Sequence, residues 1–133
     1  MRIFLDTTPL YALIDARDQA HERALAVFGR AVNDMLICPL PTVLELHGLL
    51  VKRKPSDPRS AHETTRDVLK AYPLVFPTQD DTDAAARLLA RYSDQRLTLT
   101  DALIASMAAR EGVRVLTFDE RHFSLMGVEP YTE

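Results

Sequence analysis

RIFLDTTPLYAL, residues 2–13, passes in one step from an apolar run to a carboxylate, two hydroxyls and a proline. Ile3, Phe4 and Leu5 read as a short buried strand. Asp6 falls where that strand must leave the core and turn. Thr8 and Pro9 then read as a helix cap and a first-turn proline, opening a short helix to about Ile14. Asp6 taken alone is equally a turn residue, since aspartate hydrogen-bonds nearby backbone groups. Its meaning depends on what the rest of the chain brings to the same place.

The strand-then-helix step recurs. Apolar runs at Met35–Cys38, Leu74–Phe76 and Arg114–Phe118 alternate with stretches expected to be helical: 19–32, 42–52, 59–71, 80–92 and 100–111. Such alternation predicts parallel strands joined by crossover helices. Val128–Tyr131 is expected to add a short edge strand, and KPSDPRS (54–60) reads as an exposed loop between helices. The stretch 100–111 is poor in polar residues as far as Ala109, which predicts deep packing, and Gly112 suits its C-terminal stop. At 133 residues with 47% hydrophobic content, the chain is expected to form one domain, 1–133, with a sizeable core. It has no apolar run approaching the roughly 20 residues of a membrane span, so a cytoplasmic protein is the expectation. The single cysteine, Cys38, has no partner for a disulfide or a thiolate zinc site and reads as core. A net charge of −3 argues against indiscriminate nucleic-acid binding but leaves room for a local basic patch beside an acidic, metal-requiring site.

Four acids stand where chemistry concentrates in such a fold. Asp6 and Asp119 follow strands, and Glu45 and Asp101 occupy first turns of helices expected above the same sheet edge, which carries the crevice of open α/β sheets. Singly, each has a plain structural role: Thr42 with Glu45 and Thr98 with Asp101 have capping-box spacing, and Asp119 follows a strand like a turn cap. Together in a partly buried cleft the four repel one another, and a divalent cation is the natural compensation. Asp80, Asp81 and Asp83 are better explained by the positive end of a helix dipole. His21, His47, His62 and His122 have no metal-ligand spacing and read as solvated or locally bonded; Ser106 lacks a nucleophile elbow. Neither G-x-G-x-x-G nor a P-loop occurs, which removes the usual nucleotide-cofactor devices. Thr7 and Thr117 stand beside the acids, and for both a backbone-serving role is expected over a contact with water or phosphate.

FLDTTPLYALIDARDQAHERA (4–24), PTVLELHGLL (41–50) and LTLTDALIASMAAREGVRVLTFDERHF (97–123) together resemble the PIN-domain ribonucleases, and within them the VapC toxins of toxin–antitoxin pairs. Matched motif by motif, Asp6, Glu45, Asp101 and Asp119 fall on the four acidic positions of the PIN site; His122 stands where many relatives carry a further acid. The resemblance implies a three-layer α/β/α sandwich around a mostly parallel five-stranded sheet, Mg²⁺ or Mn²⁺ dependence, endonucleolytic cleavage of RNA, a cognate antitoxin and a homodimer. On this basis Asp6 and Asp101 are expected to hold the principal cation, with Glu45 and Asp119 completing its shell and orienting the attacking water. Lys52, Arg53 and Lys54 in VKRKP (51–55), with Arg96 and Arg121, are candidate phosphate contacts; the alternative for them is a solvated helix end complementing the dipole. Two other functions compete. One is a PIN-like interaction module without catalysis, against which the intact acids count. The other is an aspartyl-nucleophile phosphatase, since FLDTT resembles the strand-end Asp of the haloacid-dehalogenase phosphatases; Thr8 stands where their D-x-D needs its second Asp.

Overall fold

The computed structural model describes residues 1–131. Its elements run β1 (Arg2–Leu5), α1 (Thr7–Ile14), α2 (His21–Arg30), β2 (Met35–Pro39), α3 (Leu40–Arg53), α4 (Pro58–Ala71), β3 (Leu74–Val75), α5 (Gln79–Arg91), α6 (Leu99–Glu111), β4 (Arg114–Leu116), α7 (Glu120–Leu125) and β5 (Pro130–Tyr131). The strands form one sheet in the order β3-β2-β1-β4-β5, every pairing parallel. The chain builds outward from β1 through β2 to β3, then crosses back to lay β4 and β5 on the other side. The order therefore reverses between β1 and β4, and the crevice of such a sheet opens beyond the C-terminal ends of those two strands.

Alternation along the strands sets three layers. Ile3 and Leu5 pack with Val27 of α2 and with Ala31, which caps its C-terminus, while Cys38 meets α1, α3 and α4 through Leu10, Val43, Leu46, Leu50 and Val68. Phe4, Ile37 and Val115 face the other way, against α5, α6 and α7. The low-polarity stretch of α6 is packed as expected: Ala102, Ile104, Ala105, Met107 and Ala108 are buried. Burying a side chain the size of Ile104 or Met107 contributes roughly 1.5–3 kcal/mol each. Gly112 ends the helix in the left-handed conformation, φ 65°, a position that a Cβ strains. Cys38 is buried, and burial pushes its thiol up to about 12, in keeping with a core role. Among the described residues no helix is long and apolar enough to cross a membrane.

Two helix starts differ from the sequence expectation. Helix α1 begins at Thr7, capped by Asp6, whose Oδ1 accepts the Thr7 N–H at 2.8 Å; Thr8 lies inside the first turn. A carboxylate is a stronger acceptor than a hydroxyl at the positive end of a helix, so Asp6 takes the cap. Helix α3 begins at Leu40 rather than Thr42, because Pro39 is extended and Pro41 suits the first turn. Thr42 is thus inside the helix, and no Thr42–Glu45 capping box forms.

The Asp80, Asp81, Asp83 cluster proves structural at its buried member. Asp81 closes a capping box with Thr78 and receives Arg110 of α6, Nη2 to Oδ2 at 2.8 Å and Nε to Oδ1 at 3.0 Å. Desolvation raises the Asp81 pKa, but the Arg110 and Thr78 donors together outweigh it and leave the carboxyl below the ordinary range. Arg110 therefore fastens α5 to α6. Replacing Arg110 with Met leaves a buried anion uncompensated and is expected to cost roughly 2 kcal/mol, discounted for the part-exposed guanidinium; urea melts of the two proteins check this.

Candidate active site

The site is built on the register of two strands. Leu5 pairs with Leu116, so the next residues, Asp6 and Thr117, leave β1 and β4 side by side. The Asp6 N–H donates to the Leu116 carbonyl at 3.0 Å. The Thr117 hydroxyl donates to Asp6 Oδ2 at 2.7 Å and accepts the Asp119 N–H at 2.9 Å, which ties the turn after β4 to the acid after β1. From α3, Thr42 Oγ1 donates to the Leu5 carbonyl at 2.7 Å. That bond fixes the first turns of α3 against the end of β1 and brings Glu45 to the same place.

Asp6 is buried, 2% exposed, with the Thr117 hydroxyl and the Thr7 N–H as its donors. Desolvation first, then the charges of Asp101 and Glu45, outweigh the lowering pull of those two donors and raise its pKa to about 7. The ion pairs of the described residues leave Asp6, Glu45 and Asp101 out. Asp101 keeps its capping duty: its Oδ2 accepts the Thr98 N–H at 3.1 Å and its own N–H donates to Thr98 Oγ1 at 3.1 Å. Glu45 has none, because Thr42 is turned to Leu5. Asp119 stands somewhat apart, joined to Asp6 through Thr117, with His122 Nδ1 2.8 Å from its Oδ2. The structure thus brings Asp6, Glu45 and Asp101 into one electrostatic group and attaches Asp119 by a hydrogen-bond relay.

The residues fit a hard divalent cation. All four acids offer oxygen, the donor type of Mg²⁺ and Mn²⁺, and the buried Asp6 carboxylate lacks a cationic side chain to balance it. Among the described residues no three His, Cys, Asp or Glu side chains are placed to hold a metal ion together.

The other sequence candidates have distinct fates. The histidines are locally bonded: His21 Nδ1 lies 2.7 Å from the Ala12 carbonyl and His47 Nε2 2.9 Å from His62 Nδ1. Ser106 donates to the Ala102 carbonyl within its helix at 2.8 Å. Lys52 and Arg96 are exposed, Arg121 donates to Gln95 at 3.1 Å, and Lys54 lies 3.8 Å from Asp57. Arg53 turns inward, Nη1 3.5 Å from Asp15 Oδ2 and its guanidinium 5.9 Å from the Tyr11 ring centre. Thr117 has the structural role expected of it, with a carboxylate as one partner. Thr7 does not: its hydroxyl is buried and without a partner. Sequence reasoning missed the Thr117–Asp6 bond, for which the signal is two hydroxyl or acid residues directly following two short strands of similar length.

Fold and crevice together define an α/β protein with an oxygen-donor acid group at the switch point of a parallel sheet. The chain belongs to the PIN domain family, whose sequence profile matches residues 3–128. It is 29% identical over 126 residues to Ribonuclease VapC26 of Mycobacterium tuberculosis, 93% of this chain and 91% of that protein. The fold is similar to the crystal structure of VapC20 of Mycobacterium tuberculosis, a toxin that cleaves the sarcin–ricin loop, with TM-score 0.85, 20% identity and coverage of 98% and 99% of the two chains. It is also similar to a chain of a toxin–antitoxin complex from Klebsiella pneumoniae, with TM-score 0.68, 21% identity and coverage of 98% and 99%.

The raised Asp6 pKa has a measurable sign. The unfolded chain releases this proton near 3.8 and the folded chain near 7, so between those values the folded state holds more protons and stability falls as pH rises. In chelator, denaturant midpoints are expected to decline from about pH 4 to about pH 7, with Asp6→Asn flattening that part of the curve. A wild-type profile no steeper than that of Asp6→Asn contradicts the burial of an uncompensated acid.

Proposed function

We propose that this protein is a metal-dependent endoribonuclease that hydrolyses RNA phosphodiester bonds, acting in the cytoplasm as the toxin of a toxin–antitoxin pair. The observation that carries the reading is the buried Asp6 carboxylate, unbalanced by any cation and flanked by Glu45 and Asp101, at the switch point of a PIN domain. The ribonuclease and toxin names of the relatives support it. Mg²⁺ or Mn²⁺ is the cofactor that the donor set suits, with Asp6 and Asp101 as its principal holders. When bound, such an ion neutralises charge developing on phosphate and acidifies water. Glu45, free of capping duty, orients the attacking water, and Asp119, steadied by Thr117 and His122, completes the acid group. A catalytically silent interaction module is the weaker reading, because it gives no reason to keep Asp6 unbalanced.

Two partners follow from the same reading. A cognate antitoxin is supported by the toxin–antitoxin complex among the similar structures; an Arg from its tail, planar and permanently charged, suits the acidic crevice. A second copy of this chain is supported by exposed Leu44 and Leu99, which with Leu40, Pro41, Pro77 and Leu103 line an apolar depression of about 250 Å³. Sedimentation of a dimer that Leu44→Arg converts to monomer checks the latter.

Asp6→Asn and Asp101→Asn each remove a ligand charge with little change of shape, and each is expected to lower Mn²⁺-dependent RNA cleavage by about 10²-fold or more. Circular dichroism of both variants should match wild type. Folded variants that cleave at the wild-type rate overturn the assignment.

A further inference from the structure

Beside the acid group a groove of about 300 Å³ runs between α1, the turn before α2, and α3; Thr7, Tyr11, Leu49 and Phe118 are among its lining, with Asp18 and Glu45 as its two carboxylates. Its walls are largely apolar, yet Thr7 Oγ1 is a buried hydroxyl without a partner, a condition that costs roughly 1–3 kcal/mol and that a ligand with a polar edge relieves. Glu45 belongs both to this groove and to the group that acts on Asp6. Farther along α1 lies a second hollow of about 460 Å³, lined by Asp15, Arg17, Arg53, Lys54 and Ser60. Arg17 and Arg53 there pair with the Asp15 carboxylate and Lys54 with Asp57, so three cations stand against two carboxylates, and with Arg17 largely exposed the hollow keeps a surplus positive charge. Tyr11 stands between the two: it lines the groove, its hydroxyl donates to Asp15 Oδ2 at 3.2 Å, and Arg53 leans over its ring.

From Thr7 to Asp15 the helix spans about 12 Å, short enough for one strand to engage acid group, groove and hollow at once. The order along it is a crevice for a cation and an anion, an apolar slot with an unpaired hydroxyl, then a cationic hollow. A phosphate, a planar base with hydrogen-bonding edges and a second phosphate match that order. A basic protein tail suits only the acidic crevice at one end of that order, because the cationic hollow at the other end repels it. We propose that this face of α1 is a track for single-stranded RNA flanking the scissile bond, with one base in the groove against Thr7 and a neighbouring phosphate held by Arg17, Arg53 and Lys54. The proposal rests on the ribonuclease reading for its choice of ligand and adds to it the residues that position the strand.

The test uses the full chain, a mixed-sequence single-stranded 12-nucleotide RNA in chelator, and two variants. Loss of one to two phosphate contacts in Arg17→Ala/Lys54→Ala is expected to flatten the slope of log affinity against log salt by about 0.7–1.4. Thr7→Val is expected to weaken binding several-fold with the slope unchanged and to raise, not lower, the thermal midpoint, since it removes an unpaired buried hydroxyl. Nucleoside 5′-monophosphates should shift amide resonances of Tyr11, Leu49 and Phe118, and ribose 5-phosphate should not. An unchanged salt slope in the double variant overturns the track. So do mononucleotide and ribose 5-phosphate shifts that coincide, or groove shifts produced only by the peptide Arg-Trp-Arg, which assign the groove to a protein partner. Failure of the wild type to cleave RNA with Mn²⁺ while these binding results hold overturns the catalytic reading and leaves the track supported.

Discussion

The hydrogen bond from Thr117 to Asp6 is the joint on which the site depends. It exists because Leu5 and Leu116 are paired in parallel register, so that the first residues beyond two neighbouring strands emerge together. The same hydroxyl accepts the Asp119 N–H, and Asp6 also caps α1. One short network therefore sets the start of a helix, the turn after β4 and the orientation of the most buried acid. Thr42 adds α3 to the network by bonding the Leu5 carbonyl. A shift of β4 by one residue separates Asp6 from Thr117 and from the Asp119 turn at once.

Two buried aspartates show what the fold does with an acid in each setting. Asp81 is balanced by Arg110, sits below the ordinary carboxylate range and serves to fasten two helices. Asp6 is similarly buried but receives only a hydroxyl and an amide, has Asp101 and Glu45 for charged neighbours, and is pushed up to about 7. Maintaining an unbalanced acid opposes folding above its unfolded pKa. A fold that could pair it, as it does Asp81, and does not, leaves the position available to a cation from solution. The orphan hydroxyl of Thr7 next to it is a second such concession.

Much of the architecture was legible because it rests on local signals. Strand-to-helix alternation, the low-polarity run of α6, the Gly112 stop and the Thr98–Asp101 capping box each reflect short-range chemistry and appear at or near their expected places. The four acids also follow from the rule that parallel sheets expose their crevice at strand ends. The rest depends on contacts far apart in the chain. Thr42 spans 37 residues to reach Leu5 instead of serving its own helix, which undoes the capping box expected with Glu45. Thr117 reaches Asp6 across 111 residues, and Arg53, expected among the solvent-facing cations, folds back over Tyr11 and Asp15. Hydrophobic period reports which face a residue occupies; it is silent about which distant acceptor stands there.

The central claim is that the Asp6, Glu45 and Asp101 group holds a divalent cation. Crystals grown or soaked in Mn²⁺ and measured at the manganese absorption edge test it most directly, because the anomalous signal locates the ion independently of any catalytic assay. The account predicts a peak bonded to an Asp6 carboxylate oxygen at roughly 2.0–2.3 Å, with Asp101 in the same shell and Glu45 direct or through water. Saturating Mn²⁺ that gives no peak at Asp6, with the fold intact, contradicts it.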